Sequence, residues 1–178
     1  MRSQRAGVAI AAETGFIALA LGAVMGLVWW WVAPTEQWTV VEGGLVPADL
    51  GFTAWFSADG WFLALGAVAG VVLAGASWRR GRTRPVVLTL SIIVGAGLVS
   101  LVAWALGGAL GAPDPQTVAE TASAGTVVDG SLGIRAMGVL FAPALAALTV
   151  QALLLSSAKL SDEPTSFPDS SWVPQQSW

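Results

Sequence analysis

The sequence predicts an all-α integral membrane protein with four transmembrane helices arranged as two antiparallel hairpins. Three observations predict it. The 178-residue chain is 55% hydrophobic and only 11% charged, which is the composition of a polytopic membrane protein. Its apolar residues gather in four stretches, at about 7–32, 61–78, 85–110 and 131–158, each long enough to cross about 30 Å of hydrocarbon as a helix. Seven of the eight Arg and Lys lie on one side of those stretches, an asymmetry that orients the chain.

Span 1 follows Arg2 and Arg5. Its apolar segment is too long for a signal-peptide core and no small-residue cleavage site follows it, so it reads as an uncleaved helix. It ends in Trp29, Trp30 and Trp31. Indoles settle at the headgroup level, which makes these three interfacial anchors. Adjacent helical residues are about 100° apart, so one ring is expected to face protein and the others lipid.

The outer loop 33–60 carries β-like stretches at Trp38–Val41 and Phe52–Phe56, split by Gly43, Gly44 and Pro47. It is expected to form a small cap between helices 1 and 2. Trp38, Phe52, Trp55 and Phe56 are expected to fold back onto the membrane or the helix ends. Span 2 opens with Asp59-Gly60-Trp61 and closes at Trp78, before Arg79, Arg80, Arg82 and Arg84. Span 3 starts at Pro85 and has Trp104 near its outer end. The second outer loop, 111–130, is expected to hold a short helix near 116–124. Span 4 follows Asp129-Gly130, with Pro143 inside it as an expected kink, and leads to Lys159.

Neither outer loop contains Arg or Lys, whereas both hold acids: Glu36, Glu42, Asp49, Asp59, Asp114, Glu120 and Asp129. Positive charge resists translocation, so both termini are expected in the cytoplasm of a cell (plasma) membrane protein. The domain plan is a transmembrane unit over 1–158 and a flexible, Pro/Ser/Asp-rich cytoplasmic tail over 159–178. Trp172 and Trp178 break the tail's pattern, as membrane-surface or partner contacts.

Packing is expected from small residues at four-residue spacing, Gly22 with Gly26 and Gly66 with Gly70, which let two backbones approach closely. The run Leu19–Val28 nearly repeats at Leu63–Val72, a sign of low complexity. Ala33-Pro34 and Ala112-Pro113 close the odd spans, and Asp59-Gly60 and Asp129-Gly130 open the even ones. That echo fits two parallel half-repeats. Asp59 and Asp129 each precede an outer helix start, where a carboxylate caps free N–H groups.

Two ionisable residues fall within apolar sequence. Glu13 is expected near the inner boundary, within reach of Arg79, Arg80 or Arg84. Arg135, about one turn into span 4, is expected to reach outward toward Asp129, Asp59 or Glu120. The alternative is that the two flank an ion or proton path. Mid-bundle polar groups are limited to Ser91, Ser100, Thr149 and Gln151.

Cysteine, histidine and tyrosine are absent. Thiolate or imidazole metal ligation, disulfides and His-based triads are therefore excluded. No catalytic, cofactor-binding or metal-binding residues are assigned, and no cofactor is expected. The lipid bilayer is the expected partner, together with a membrane protein or further copies of the chain, and no nucleic acid. The composition thus points to a non-enzymatic accessory or scaffold subunit. A small, homo-oligomeric transporter or channel is the alternative, and an enzyme built on the outer acids is a third option without a recognisable motif.

W-W-W-V-A-P at Trp29–Pro34, S-A-D-G-W-F at Ser57–Phe62 and the turn Trp78-Arg-Arg-Gly-Arg82 together resemble a family of small actinobacterial four-span proteins, domain of unknown function 2567. The resemblance covers the chain to about residue 158. It implies shared helix corners and brings no activity or site residues.

Overall fold

The computed structural model describes residues 2–48, 53–81 and 84–162. Four long helices dominate it: α1 (Arg2–Val32), α2 (Thr53–Gly81), α3 (Pro85–Leu110) and α5 (Ala142–Asp162). Each is long and apolar enough to cross a membrane. A 26-residue helix such as α3 is about 39 Å long, more than a hydrocarbon core needs. The chain is a multi-pass membrane protein.

The side-chain register shows how the helices run. Gly7, Thr14, Gly22 and Gly26 of α1 lie beside Val87, Gly95, Val99 and Ala103 of α3, in increasing order, so these two helices are parallel. On α2, Gly66 and Gly70 lie against Ala142 and Pro143 of α5, and Ala74 clusters with Ala147, a second parallel pair. Thr14 meets Ser77 while Trp29 meets Ala58, so α1 and α2 are antiparallel. The most extensive packing joins α1 to α3 and α2 to α5, not consecutive helices. The two-hairpin description therefore misses the closest contacts.

Glycine explains why. A Cβ on Gly22 would come within 2.9 Å of the Val99 carbonyl oxygen, and one on Gly26 within 2.8 Å of that of Ala103. On α2, a Cβ at Gly70 would run into the Pro143 carbonyl. Backbone meets backbone at these points, and no side chain can give way. Where lipid is as apolar as the helix, such close dispersion contacts replace the hydrophobic drive.

Three element boundaries differ from the sequence reading. Residues 53–56 of the second β-like stretch are helical, because α2 already begins at Thr53; Phe52 lies outside the described residues. Span 4 does not begin helically at Ser131. Residues 131–136 are irregular, a 3-10 turn covers Met137–Phe141, and α5 starts at Ala142. Pro143 accordingly sits in the first turn of α5, where its missing N–H costs nothing, and is not a mid-helix kink. Finally, α5 continues through Lys159 to Asp162, so the tail begins later than expected. The rest of the tail, with Trp172 and Trp178, lies outside the described residues, as do Asp49 and Arg82.

Outside the bundle, β1 (Gln37–Val41), β2 (Gly44–Pro47) and β3 (Val127–Asp129) form an antiparallel sheet in the order β2-β1-β3. Glu42 and Gly43 make the two-residue turn between β1 and β2, and Gly43 supplies its positive φ of 97°. The one-turn helix α4 (Pro115–Ala119) contacts both β2 and β3. Residues from both connections, α1 to α2 and α3 to α5, thus build the cap.

Candidate functional site: the cap and its cleft

The cap is fixed to the bundle through one corner. Trp29, near the C-terminal end of α1, is fully buried. Its indole Nε1 donates to the Ala58 carbonyl at 2.9 Å, and its ring meets Phe62 edge-on, with centroids 5.0 Å apart. Of the three adjacent indoles this one faces protein, while Trp30 is 45% and Trp31 80% exposed. Trp29 is therefore a core residue and not an interfacial anchor: its place on the helix points it at α2 and at Gly107 of α3. Trp61 and Trp104 are exposed outward, and Trp78 is half-buried against Ala74, Leu88, Ile92 and Ala147.

Asp59 follows Ala58 but does not cap its own helix, which begins six residues earlier. Its carboxylate accepts instead from the backbone N–H groups of Arg135 (3.3 Å) and Ala136 (2.9 Å). Those donors lead into the 3-10 turn that starts span 4. Asp59 is thus a cap supplied across helices, held by α2 for the entrance to α5. Asp129 caps no helix among the described residues: it is exposed at the end of β3, opposite Gln37.

The Arg135 guanidinium pairs with Glu36, at 2.7 Å to Oε1 and 2.9 Å to Oε2, an acid outside the three the sequence reading named. Geometry decides the choice. The Gly130 N–H donates to the Glu36 carbonyl at 2.6 Å, which brings the start of β1 beside the 130–135 segment. Asp59 is already occupied by backbone donors. Leu132 is buried against Gly111, the C-cap of α3. Arg135 lies outside any helix, on the cap side of the bundle.

A cleft of about 750 Å³ opens between the sheet and α4. Trp38, Val40 and Leu45 of the sheet and Pro115 and Ala119 of α4 give it apolar lining. Glu36, Glu42, Asp114, Glu120 and Arg135 bring charge to it. Asp114 also N-caps α4, its carboxylate accepting from the Gln116 N–H at 3.0 Å with Pro115 next to it. This Asp-Pro start was readable from the sequence. The cleft was not, because pairing of Trp38 with Val128 is what brings the two loops together.

Polar contacts link the elements of the bundle at several levels. The Thr14 hydroxyl lies 3.4 Å from that of Ser77, with both residues buried. Glu13, next to Thr14, is half-buried at that same level, away from the cap. Gln151 Nε2 donates to Thr89 Oγ1 at 2.6 Å, and its Oε1 is buried with no partner. Ser100 donates to the Leu140 carbonyl at 2.6 Å, where the 3-10 turn precedes Pro143. Thr149 bonds back to Leu145 within its own helix. Between these levels Met25, Phe62, Leu73 and Val99 pack as core. Glu13 and Arg135 lie at opposite ends of it.

Comparison with models of known families, with curated proteins and with solved structures gave no match.

Proposed function

We propose that this protein is a non-enzymatic accessory or scaffold subunit of the plasma membrane, with both termini cytoplasmic and the cap outside. One observation carries the reading. Five charged side chains, Glu36, Glu42, Asp114, Glu120 and Arg135, line the cleft together with Trp38, while apolar side chains and hydrogen bonds between elements fill the bundle interior. Recognition is then a task for the cap. The orientation rests on the Arg-rich link between α2 and α3 and on outer segments 34–60 and 111–130 without a single Arg or Lys.

The resemblance to the domain of unknown function 2567 family belongs to the same proposal. Its first two motifs meet in the bond from Trp29 to Ala58, so they describe one packed corner. Co-purification of the full chain from its native membrane in mild detergent tests the accessory role. A stoichiometric companion is expected, and a lone monodisperse species across several detergents would contradict it.

A small transporter, working as a homo-oligomer, is the second reading. The parallel pairing of α1 with α3 and of α2 with α5 favours it, since related halves place equivalent helices together. Flux of ions or small metabolites into liposomes holding folded protein decides between the two.

A further inference from the structure

Resting on the accessory-subunit reading, we infer that the outer cleft docks an extended cationic segment of a partner protein, one carrying several Lys or Arg side chains. The cleft's volume of about 750 Å³ falls within the range of built binding sites, about 300–1,000 Å³. Its lining is mixed in a way that suits long basic side chains. Trp38 and Leu45 on one side and Pro115 on the other offer apolar surface to aliphatic stems. An indole beside carboxylates also attracts a cation.

Charge sets the class of ligand. Arg135 is the cation lining the cleft, and Glu36 holds it at 2.7 Å. Among the described lining residues the four acids Glu36, Glu42, Asp114 and Glu120 outnumber Arg135, so the lining is net negative. Residues 34–60 and 111–130 supply no Lys or Arg to offset it. A cleft lined by one sign of charge with low-dielectric walls concentrates the opposite sign.

The placement of the acids separates a chain from a single ion. Glu42 is on the β1–β2 turn, Asp114 at the start of α4 and Glu120 at its end. Among the described residues, no three acids stand close enough to hold one metal ion. Charge spread along a trough matches several spaced cationic groups on one extended segment, and not one small cation.

The test uses the full chain in nanodiscs of phosphatidylcholine, which adds no net lipid charge. Fluorescence anisotropy is read with a labelled peptide of alternating Lys and Ala, and with a Glu/Ala peptide of equal length. The Lys peptide is expected to bind and the Glu peptide not to. The triple variant Glu42→Gln, Asp114→Asn, Glu120→Gln is expected to bind about tenfold more weakly, from the loss of three partly exposed charge contacts. Asn at 114 keeps the helix cap. Ala119→Trp, which fills the cleft without changing charge, is expected to lose binding as well. Asp129→Asn removes a charge on β3 that is not part of the cleft lining and is expected to change nothing.

Any of four results overturns the inference: no binding of the Lys peptide, unchanged binding by the triple variant or by Ala119→Trp, an equal loss in Asp129→Asn, or spermidine binding as tightly as the peptide. The last would assign the cleft to small organic cations. A companion that still co-purifies with the folded triple variant would leave the accessory role standing and remove the cleft from it.

Discussion

Substitution at Trp29 and Gly107 probes the corner on which the cap rests. Trp29 is fully buried, donates to Ala58 and meets Phe62 edge-on. Trp29→Ala therefore removes a hydrogen bond of about 1 kcal/mol and an aromatic pair of about 0.5–1.5 kcal/mol. With the cavity left behind, the cost is about 3–5 kcal/mol. The same change at Trp31, 80% exposed two residues later, is expected to stay within about 0.5 kcal/mol. Gly107 supplies the internal control. A Cβ there would come within 2.8 Å of Cζ3 of the Trp29 ring, and nearer still to Cε3. In the parent protein, Gly107→Ala should lose about 1–3 kcal/mol to overpacking, offset by about 1 kcal/mol of helix propensity. Once Trp29 is Ala the clash is gone, and Gly107→Ala should stabilise. The assay is SDS titration in dodecylmaltoside, followed by far-UV circular dichroism, whose helical signal does not depend on one indole. The reasoning is refuted if the two substitutions add to within about 0.5 kcal/mol, or if Trp31→Ala costs as much as Trp29→Ala.

Three further outcomes are expected in the same assay. Gly70→Ala should disrupt the α2–α5 contact, because the added Cβ meets the Pro143 backbone, whereas Gly75→Ala, whose Cβ enters open space, should be neutral or slightly stabilising. Asp59→Ala should cost about 1–2 kcal/mol, as the loss of a helix cap does, and more than Glu36→Gln, whose ion pair has a half-exposed Arg135 and contributes under about 1 kcal/mol. Gln151→Leu should be neutral or stabilising, since it removes the orphaned Oε1 while the Thr89 hydroxyl keeps its bond to the Pro85 carbonyl.

The four crossings were legible because hydrocarbon thickness sets a length that apolar runs meet or fail to meet. Pro85 likewise marked a helix start that the structure places at the same residue. Partner choice was harder to read. Gly22, Gly26, Gly66 and Gly70 announced close packing, but a small-residue stripe does not name its neighbour, and the neighbours turned out to be α3 and α5. Trp29 looked like its exposed neighbours because three adjacent indoles share one composition, and only the helix phase relative to α2 separates them. Asp59 carried the right chemistry toward the wrong helix: the sequence placed its carboxylate at a helix start, and an earlier start of α2 moved it two turns inward. The link from Arg135 to Glu36 depends on the Gly130 contact across the two loops. β3, only three residues long, is too short to show a period. The cleft depends on those same long-range pairings, so its acids were visible one by one and not as a group.

The account depends most on the cap facing outward and the Arg-rich link facing the cytosol. The chain has no cysteine, so single-cysteine variants Val127→Cys, at a 54% exposed position on β3, and Arg82→Cys can each be treated with a membrane-impermeant maleimide on intact cells. Labelling of Val127→Cys at once, and of Arg82→Cys only after permeabilisation, is the predicted result. The reverse pattern, or equal labelling of both on intact cells, would contradict it.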